Sequence, residues 1–198
     1  LAVAVSQKLS GSTTVASTMI IANLAKIAVF ATGGIGGVHR DAEKTFDISA
    51  DLEELSKTNV CVVCAGAKAI LDIGLTLEYL ETKGVPVIGY KTSELPAFYS
   101  SISGFNVDYR IETASDIAEI LKTKWNLSIK GGVLVTNPIP KTFELESVMM
   151  NEAINTAIIE ADKEKIVGKE ITPYLLAKVN EITQGKSLNA NIKLIQNN

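Results

Sequence analysis

Cys64-Ala65-Gly66-Ala67-Lys68 places a lysine where an apolar, β-branched run from Val60 to Cys64 gives way to a predicted helix beginning near Ala69. A helix N-terminus presents unsatisfied N–H groups and the positive end of the dipole, so an ammonium there is disfavoured and the free amine favoured. The free amine is the nucleophilic form, and partial desolvation turns such a lysine into a Schiff-base former with carbonyl compounds. The alternative for Lys68 is an ordinary solvated charge.

Two further stretches carry candidate chemistry. Ala31-Thr32-Gly33-Gly34-Ile35-Gly36-Gly37-Val38-His39-Arg40 follows a predicted strand. Gly34 and Gly36 match the first two glycines of a dinucleotide fingerprint, but His39 stands at the third position and a polar stretch follows, so the Rossmann reading is rejected. Four glycines still offer a backbone that approaches a ligand closely and N–H groups for a phosphate or carbonyl oxygen; the alternative is a tight turn at the sheet edge. Thr45-Phe46-Asp47-Ile48-Ser49-Ala50-Asp51 holds two carboxylates and a hydroxyl ahead of a helix. Asp47 is a hard oxygen ligand of the kind Mg²⁺ or Mn²⁺ takes, or else an exposed loop carboxylate. Asp51, three residues before Glu54, reads as an N-cap, and Ser49 with the helix start offers a place for a polar or anionic group. The role of His39, the sole histidine, is open.

These residues need a frame, and the chain supplies one by alternation. Helices are predicted over 14–27, 51–58, 69–83 and 114–125, and strands over 28–32, 60–64, 85–90, 107–111 and 132–136. Strands that are short apolar runs without period-2 polarity belong to a parallel sheet covered on both faces. After Phe143 the pattern is wholly helical: 146–165, 173–183 with Thr172 as cap, and 187–196. The fold class is therefore α/β, a mostly parallel central sheet covered by helices on both faces and closed by C-terminal helices. Residues 1–198 read as one α/β domain. Leu1 to Val5 reads as an apolar strand without a polar lead-in, as in a chain lacking an N-terminal portion.

The 198 residues are 46% hydrophobic and 21% charged with a formal charge of -3, and no basic run occurs, so neither nucleic acid nor an anionic membrane is expected as partner. No apolar stretch is long enough to span a bilayer and no signal peptide opens the sequence, which points to an intracellular, cytoplasmic protein. Cys61 and Cys64 form a C-x-x-C inside a strand, where residues three apart face opposite sides; two reduced, buried thiols are expected rather than a disulfide or metal site.

Longer blocks carry a resemblance. Thr13-Thr14-Val15-Ala16-Ser17-Thr18, the glycine stretch from Phe30 to Arg40, Thr45 to Leu52, Val62 to Lys68 and Thr76 to Thr82 resemble the pseudouridine-5'-phosphate glycosidase, or indigoidine synthase A-like, family. The likeness continues through Pro96-Ala97-Phe98-Tyr99, Val107-Asp108-Tyr109-Arg110, Asn137-Pro138-Ile139-Pro140 and Ser187-Leu188-Asn189-Ala190-Asn191, so it spans essentially the whole chain. The resemblance implies that Lys68 is the catalytic lysine, which attacks C1' of the ribose and forms a ring-opened Schiff base. It implies that Asp47 binds a divalent cation, usually Mn²⁺, largely through waters. It further implies that Val15, Ser49, Ala50 and Asp51 contact the nucleotide substrate, that Asn191 belongs to the site, and that the protein is a homotrimer.

The reaction so implied is reversible cleavage of the C–C glycosidic bond of pseudouridine 5'-phosphate to uracil and ribose 5-phosphate. Breaking that bond needs an electron sink at C1' and a proton for the uracil carbon, and an amine that becomes an iminium meets the first need where paired carboxylates do not. The family's general-acid glutamate and phosphate-binding lysine are expected before residue 1. Glu43, Glu53 and Glu54 match neither. Two other readings stand beside the glycosidase: a noncatalytic or regulatory relative, and a Schiff-base enzyme acting on another sugar phosphate.

Overall fold

The computed structural model describes residues 1–166 and 168–198. In chain order the elements are α1 (Ala2–Ser6), α2 (Val15–Leu24), β1 (Val29–Ala31), β2 (Val38–His39), α3 (Ala42–Thr45), α4 (Ala50–Leu55), β3 (Cys61–Cys64), β4 (Leu71–Asp72), α5 (Ile73–Thr82), β5 (Val87–Tyr90), β6 (Tyr109–Ile111), α6 (Ala114–Asn126), β7 (Val133–Thr136), α7 (Ser147–Lys163), α8 (Ile171–Ile182) and α9 (Lys186–Asn197). Short 3₁₀ turns occupy Lys141–Phe143 and Gly168–Glu170.

Among the described residues β1, β3, β7, β5 and β6 form a parallel sheet in that order. The residues of β3 and β7 are buried on both faces with hardly a break, which is why their sequences are apolar without alternation. The sheet divides two cores. Val62, Cys64 and Leu134 face the larger one, with Met19, Leu52, Leu55, Leu80, Ile154 and Leu194. Cys61, Val133 and Val135 face the other, where Ile117 and Leu121 of α6 cover them one helical turn apart. The α/β sheet with helices on both faces is as expected. The two thiols lie on opposite faces, both free and buried, and burial pushes each up to about 12.

Local chemistry sets several boundaries. Thr14 caps α2 by accepting the Ser17 N–H at 3.3 Å, and Thr113 caps α6 by accepting that of Asp116 at 3.1 Å. Four expectations are corrected. Leu1 to Val5 is not a strand: among the described residues no strand pairs with it, and 2–6 satisfies its backbone internally as the exposed helix α1. The helix expected from Ala69 begins at Ile73, because 71–72 pairs antiparallel with β2 and Asp72 accepts the Leu75 N–H at 2.9 Å. The cap of α4 is Ser49, not Asp51: the Ser49 hydroxyl accepts the Asp51 N–H at 3.2 Å. Thr172 lies inside α8, whose cap is Glu170, because the 3₁₀ turn at 168–170 runs directly into the helix.

Candidate functional site

The loops leaving two neighbouring strands, β1 and β3, lie side by side. Ala65 N–H donates to the Gly33 carbonyl at 2.9 Å, Ile35 N–H to Gly66 at 3.1 Å and Lys68 N–H to Ile35 at 3.1 Å. Such close running of backbones requires glycine: a Cβ at Gly34 would stand 2.6 Å from the Phe98 ring. Lys68 is thus held against the glycine loop at the start of a turn, its carbonyl accepting the Leu71 N–H at 2.9 Å, four residues ahead of the Asp72 cap. A helix terminus does not activate it. Its side chain is half-buried and takes part in no ion pair among the described residues.

The next residues of the same loop gather the rest. Ser49 N–H donates to the Gly37 carbonyl at 3.0 Å, and His39 N–H to Asp47 at 3.0 Å, so 47–49 runs antiparallel to 37–39. Asp51, only 5% exposed, accepts the Gly36 N–H at 2.7 Å through Oδ2 and the Ala16 N–H at 2.8 Å through Oδ1. Asn191 reaches the loop from α9: its Oδ1 lies 3.0 Å from where a Cβ on Gly33 would be, and it is buried without a hydrogen-bond donor among the described residues. The glycine loop therefore brings Ser49, Asp51, Lys68 and Asn191 together, with Val15 attached through Asp51 and Ala16.

Asp47 stands further along. Its Oδ2 is 3.8 Å from His39 Nδ1, too long for a hydrogen bond, and its side chain is 42% exposed. Among the described residues no group of three or more His, Cys, Asp or Glu side chains is arranged around a metal position. Asp47 does line a small cleft of about 190 Å³ with His39, Arg40, Thr45 and Asp162. An open carboxylate beside such a space fits a hard divalent ion whose remaining ligands are waters. A larger cleft of about 600 Å³ lies between Arg40, Ala69, Asp72, Tyr99 and Met150. Lys68 lines neither.

Sequence reasoning missed Thr76 and Asp72. The Thr76 hydroxyl accepts the Val38 N–H at 3.0 Å and donates to the Asp72 carbonyl at 2.5 Å, fastening the glycine loop to α5. Asp72 followed three residues later by a helical N–H was the readable cap signal. Val15 and Ala50, apolar residues in a proposed polar site, are the first residues of α2 and α4, where backbone N–H groups lack intrahelical partners.

The chain matches the family described as "Indigoidine synthase A like protein" over residues 1–198. It is 65% identical over 192 residues to the pseudouridine-5'-phosphate glycosidase of Clostridium botulinum, covering 97% of this chain and 62% of that relative. Its identity to the Escherichia coli protein of the same name is 60% over 189 residues, covering 96% and 61%. Among solved structures it is similar to the prealnumycin C-glycosynthase AlnA in complex with ribulose 5-phosphate, with a TM-score of 0.87 and 42% identity over 93% of this chain and 61% of that one. An indigoidine synthase A-like protein from Thermotoga maritima gives a TM-score of 0.85 at 35% identity, over 92% and 60%. The chain thus spans a little over three fifths of the length of these relatives. Matched end to end by the family's pattern and folded like its solved members, the chain belongs to the indigoidine synthase A-like family.

Proposed function

We propose that the protein acts in reversible cleavage of the C–C glycosidic bond of pseudouridine 5'-phosphate, with Lys68 as the nucleophile. The observation that carries this reading is the 65% identity over 192 residues to a pseudouridine-5'-phosphate glycosidase. Lys68, a half-buried residue whose amine is in no ion pair among the described residues, supports it.

In this reading the Lys68 amine attacks C1' of the ribose. The C1'–N bond forms as the C1'–O4' bond breaks, and a proton passes from the new ammonium nitrogen to O4', which restores the nitrogen lone pair. Uracil C5 is then protonated, the C1'–C5 electron pair returns to the uracil ring, and the Lys68 nitrogen lone pair converts C1' to an iminium. Water adds to that iminium and releases ribose 5-phosphate with the free amine. No carboxylate of this chain is assigned to deliver the protons. The Val15 and Ala50 amides and the Ser49 hydroxyl face the polar end of the substrate, and the unpartnered Asn191 Oδ1 takes a ligand N–H or O–H. Asp47 holds Mn²⁺, or another divalent cation, which when bound supplies positive charge for an anionic substrate. A phosphorylated substrate and two reduced thiols suit the cytoplasm, and the assembly proposed is a homotrimer, to be read from its mass in solution by light scattering.

The test is uracil release from pseudouridine 5'-phosphate with Mn²⁺, measured for the 198-residue chain and for a form extended at its N-terminus to the length of the relatives. Turnover in either, lost in Lys68→Ala, together with a borohydride-trapped adduct on Lys68, is the expected result. Turnover without a trapped adduct would sink the Schiff-base step; folded protein of both lengths without turnover would sink the substrate.

A further inference from the structure

The first turn of α2 has its amides allotted. Ser17 N–H is taken by the Thr14 hydroxyl at 3.3 Å, and Thr18 N–H by the Thr14 carbonyl at 2.9 Å. Ala16 N–H is taken by Asp51 Oδ1 at 2.8 Å, from 35 residues away. That leaves the Val15 N–H, which has no acceptor among the described residues. The second oxygen of the same carboxylate holds the Gly36 N–H at 2.7 Å. Asp51 therefore spends both oxygens on backbone, at 5% exposure, and joins the start of α2 to the loop against which Lys68 runs. The join leaves no slack. A Cβ on Gly36 would collide with the Ser49 hydroxyl and come within 2.8 Å of Asp51 Oδ2.

We propose that Asp51 is a positioning residue that does not touch substrate: its carboxylate clamps α2 to the glycine loop and so fixes the distance between the free Val15 amide and Lys68. This rests on the substrate reading above and departs in one respect from what the family resemblance implies, since that resemblance counts Asp51 among the substrate contacts. Charge-assisted hydrogen bonds from two amides to a buried carboxylate are stiff, and a bound sugar phosphate that spans the two loops gains from finding them already set.

Asp51→Asn keeps the shape and one acceptor while setting an NH₂ against an amide N–H. Ribose 5-phosphate is the probe, titrated by calorimetry, with backbone amide exchange measured at Ala16 and Gly36. Binding is expected to weaken about tenfold or more, with faster exchange at one or both amides while the protein stays folded. A merely structural carboxylate would lower the melting temperature and leave the affinity of the folded protein unchanged. Ala16→Pro breaks the same clamp from the other side, since an early first-turn residue needs no N–H for the helix itself; if it fails to fold, the affinity and amide exchange of Asp51→Asn alone decide. The clamp predicts that the double variant with Asp51→Asn binds no more weakly than the worse single one, whereas multiplying losses would mean Asp51 contacts the ligand and overturn the assignment. Ribose 5-phosphate binding that Asp51→Asn does not weaken overturns this assignment alone. No binding to the unchanged protein overturns the substrate reading and the assignment with it.

Discussion

The Tyr79 hydroxyl of α5 donates to Glu53 Oε1 of α4 at 2.6 Å, and this pair is the centre of a charged seam between the two helices. Lys83 Nζ reaches the same oxygen at 2.5 Å, and Lys57 reaches Oε2 at 3.2 Å. Hydrogen bonds from Lys83, then Tyr79, then Lys57 hold the Glu53 carboxyl down at about 2, against an ordinary 4.5. A depressed carboxyl stabilises the fold above its unfolded pKa, and that contribution fades as pH falls from 4.5 through 2. Glu53→Gln should therefore melt below the wild type at pH 7, with the gap closing across that window. Paired melting curves check it, and a gap unchanged at the acid end would contradict it.

Gly66 has φ +91°, and a Cβ there would run into the Pro96 carbonyl oxygen. Gly66→Ala should cost ~2 kcal/mol or more, from left-handed strain and from a collision with rigid backbone. Gly84, at φ +66° with open space around it, is the control, and its alanine variant should cost only about 1 kcal/mol. Urea melts of the two variants separate the contributions; equal losses would mean that Pro96 gives way.

Lys124 spends its ammonium on backbone. Nζ donates to the carbonyls of Ile129 at 3.2 Å, Lys130 at 2.6 Å and Gly131 at 2.8 Å, and Trp125 Nε1 adds a fourth bond, to Gly131, at 3.1 Å. The turn between α6 and β7 is wound around one side chain, whose charge burial pulls down from the ordinary lysine value. Lys124→Met, similar in length, should destabilise by about 2 kcal/mol because it leaves carbonyls without donors. Lys122→Met, two residues away and exposed, should change stability by less than ~0.5 kcal/mol.

Asp47→Asn should weaken Mn²⁺ binding, read directly as the loss of the free-ion electron paramagnetic resonance signal on titration, with the melting temperature in the absence of metal little changed because the carboxylate is exposed. Equal Mn²⁺ binding by wild type and variant would remove Asp47 from the metal site.

The parts of the fold readable from sequence were those set by neighbours in sequence. Val62, Val63 and Val135 sit in β-branched runs, and Thr14 and Thr113 stand directly before the helices they cap. The parts that misled are set from a distance. Residues 65–72 have helix-forming composition, yet their amides and carbonyls are claimed by Gly33, Ile35 and β2, some thirty residues earlier, so the helix starts late and Lys68 never meets its terminus. The candidate site divides in the same way. Residue types and the family resemblance single out Lys68, Asp47 and Asn191, while the task of Asp51 depends on Ala16 and Gly36, which no local pattern connects to it.

The order of the sheet also constrains how the molecule is made. β7 is last of the five strands in the chain and stands in the middle, between β3 and β5. Within this sheet, a chain released only up to Lys130 holds β1 with β3 and β5 with β6, with the apolar edges that β7 covers still unpaired. The final keystone strand, only four residues long, turns those halves into one sheet, so until Thr136 emerges two strand edges stand open to association with other chains.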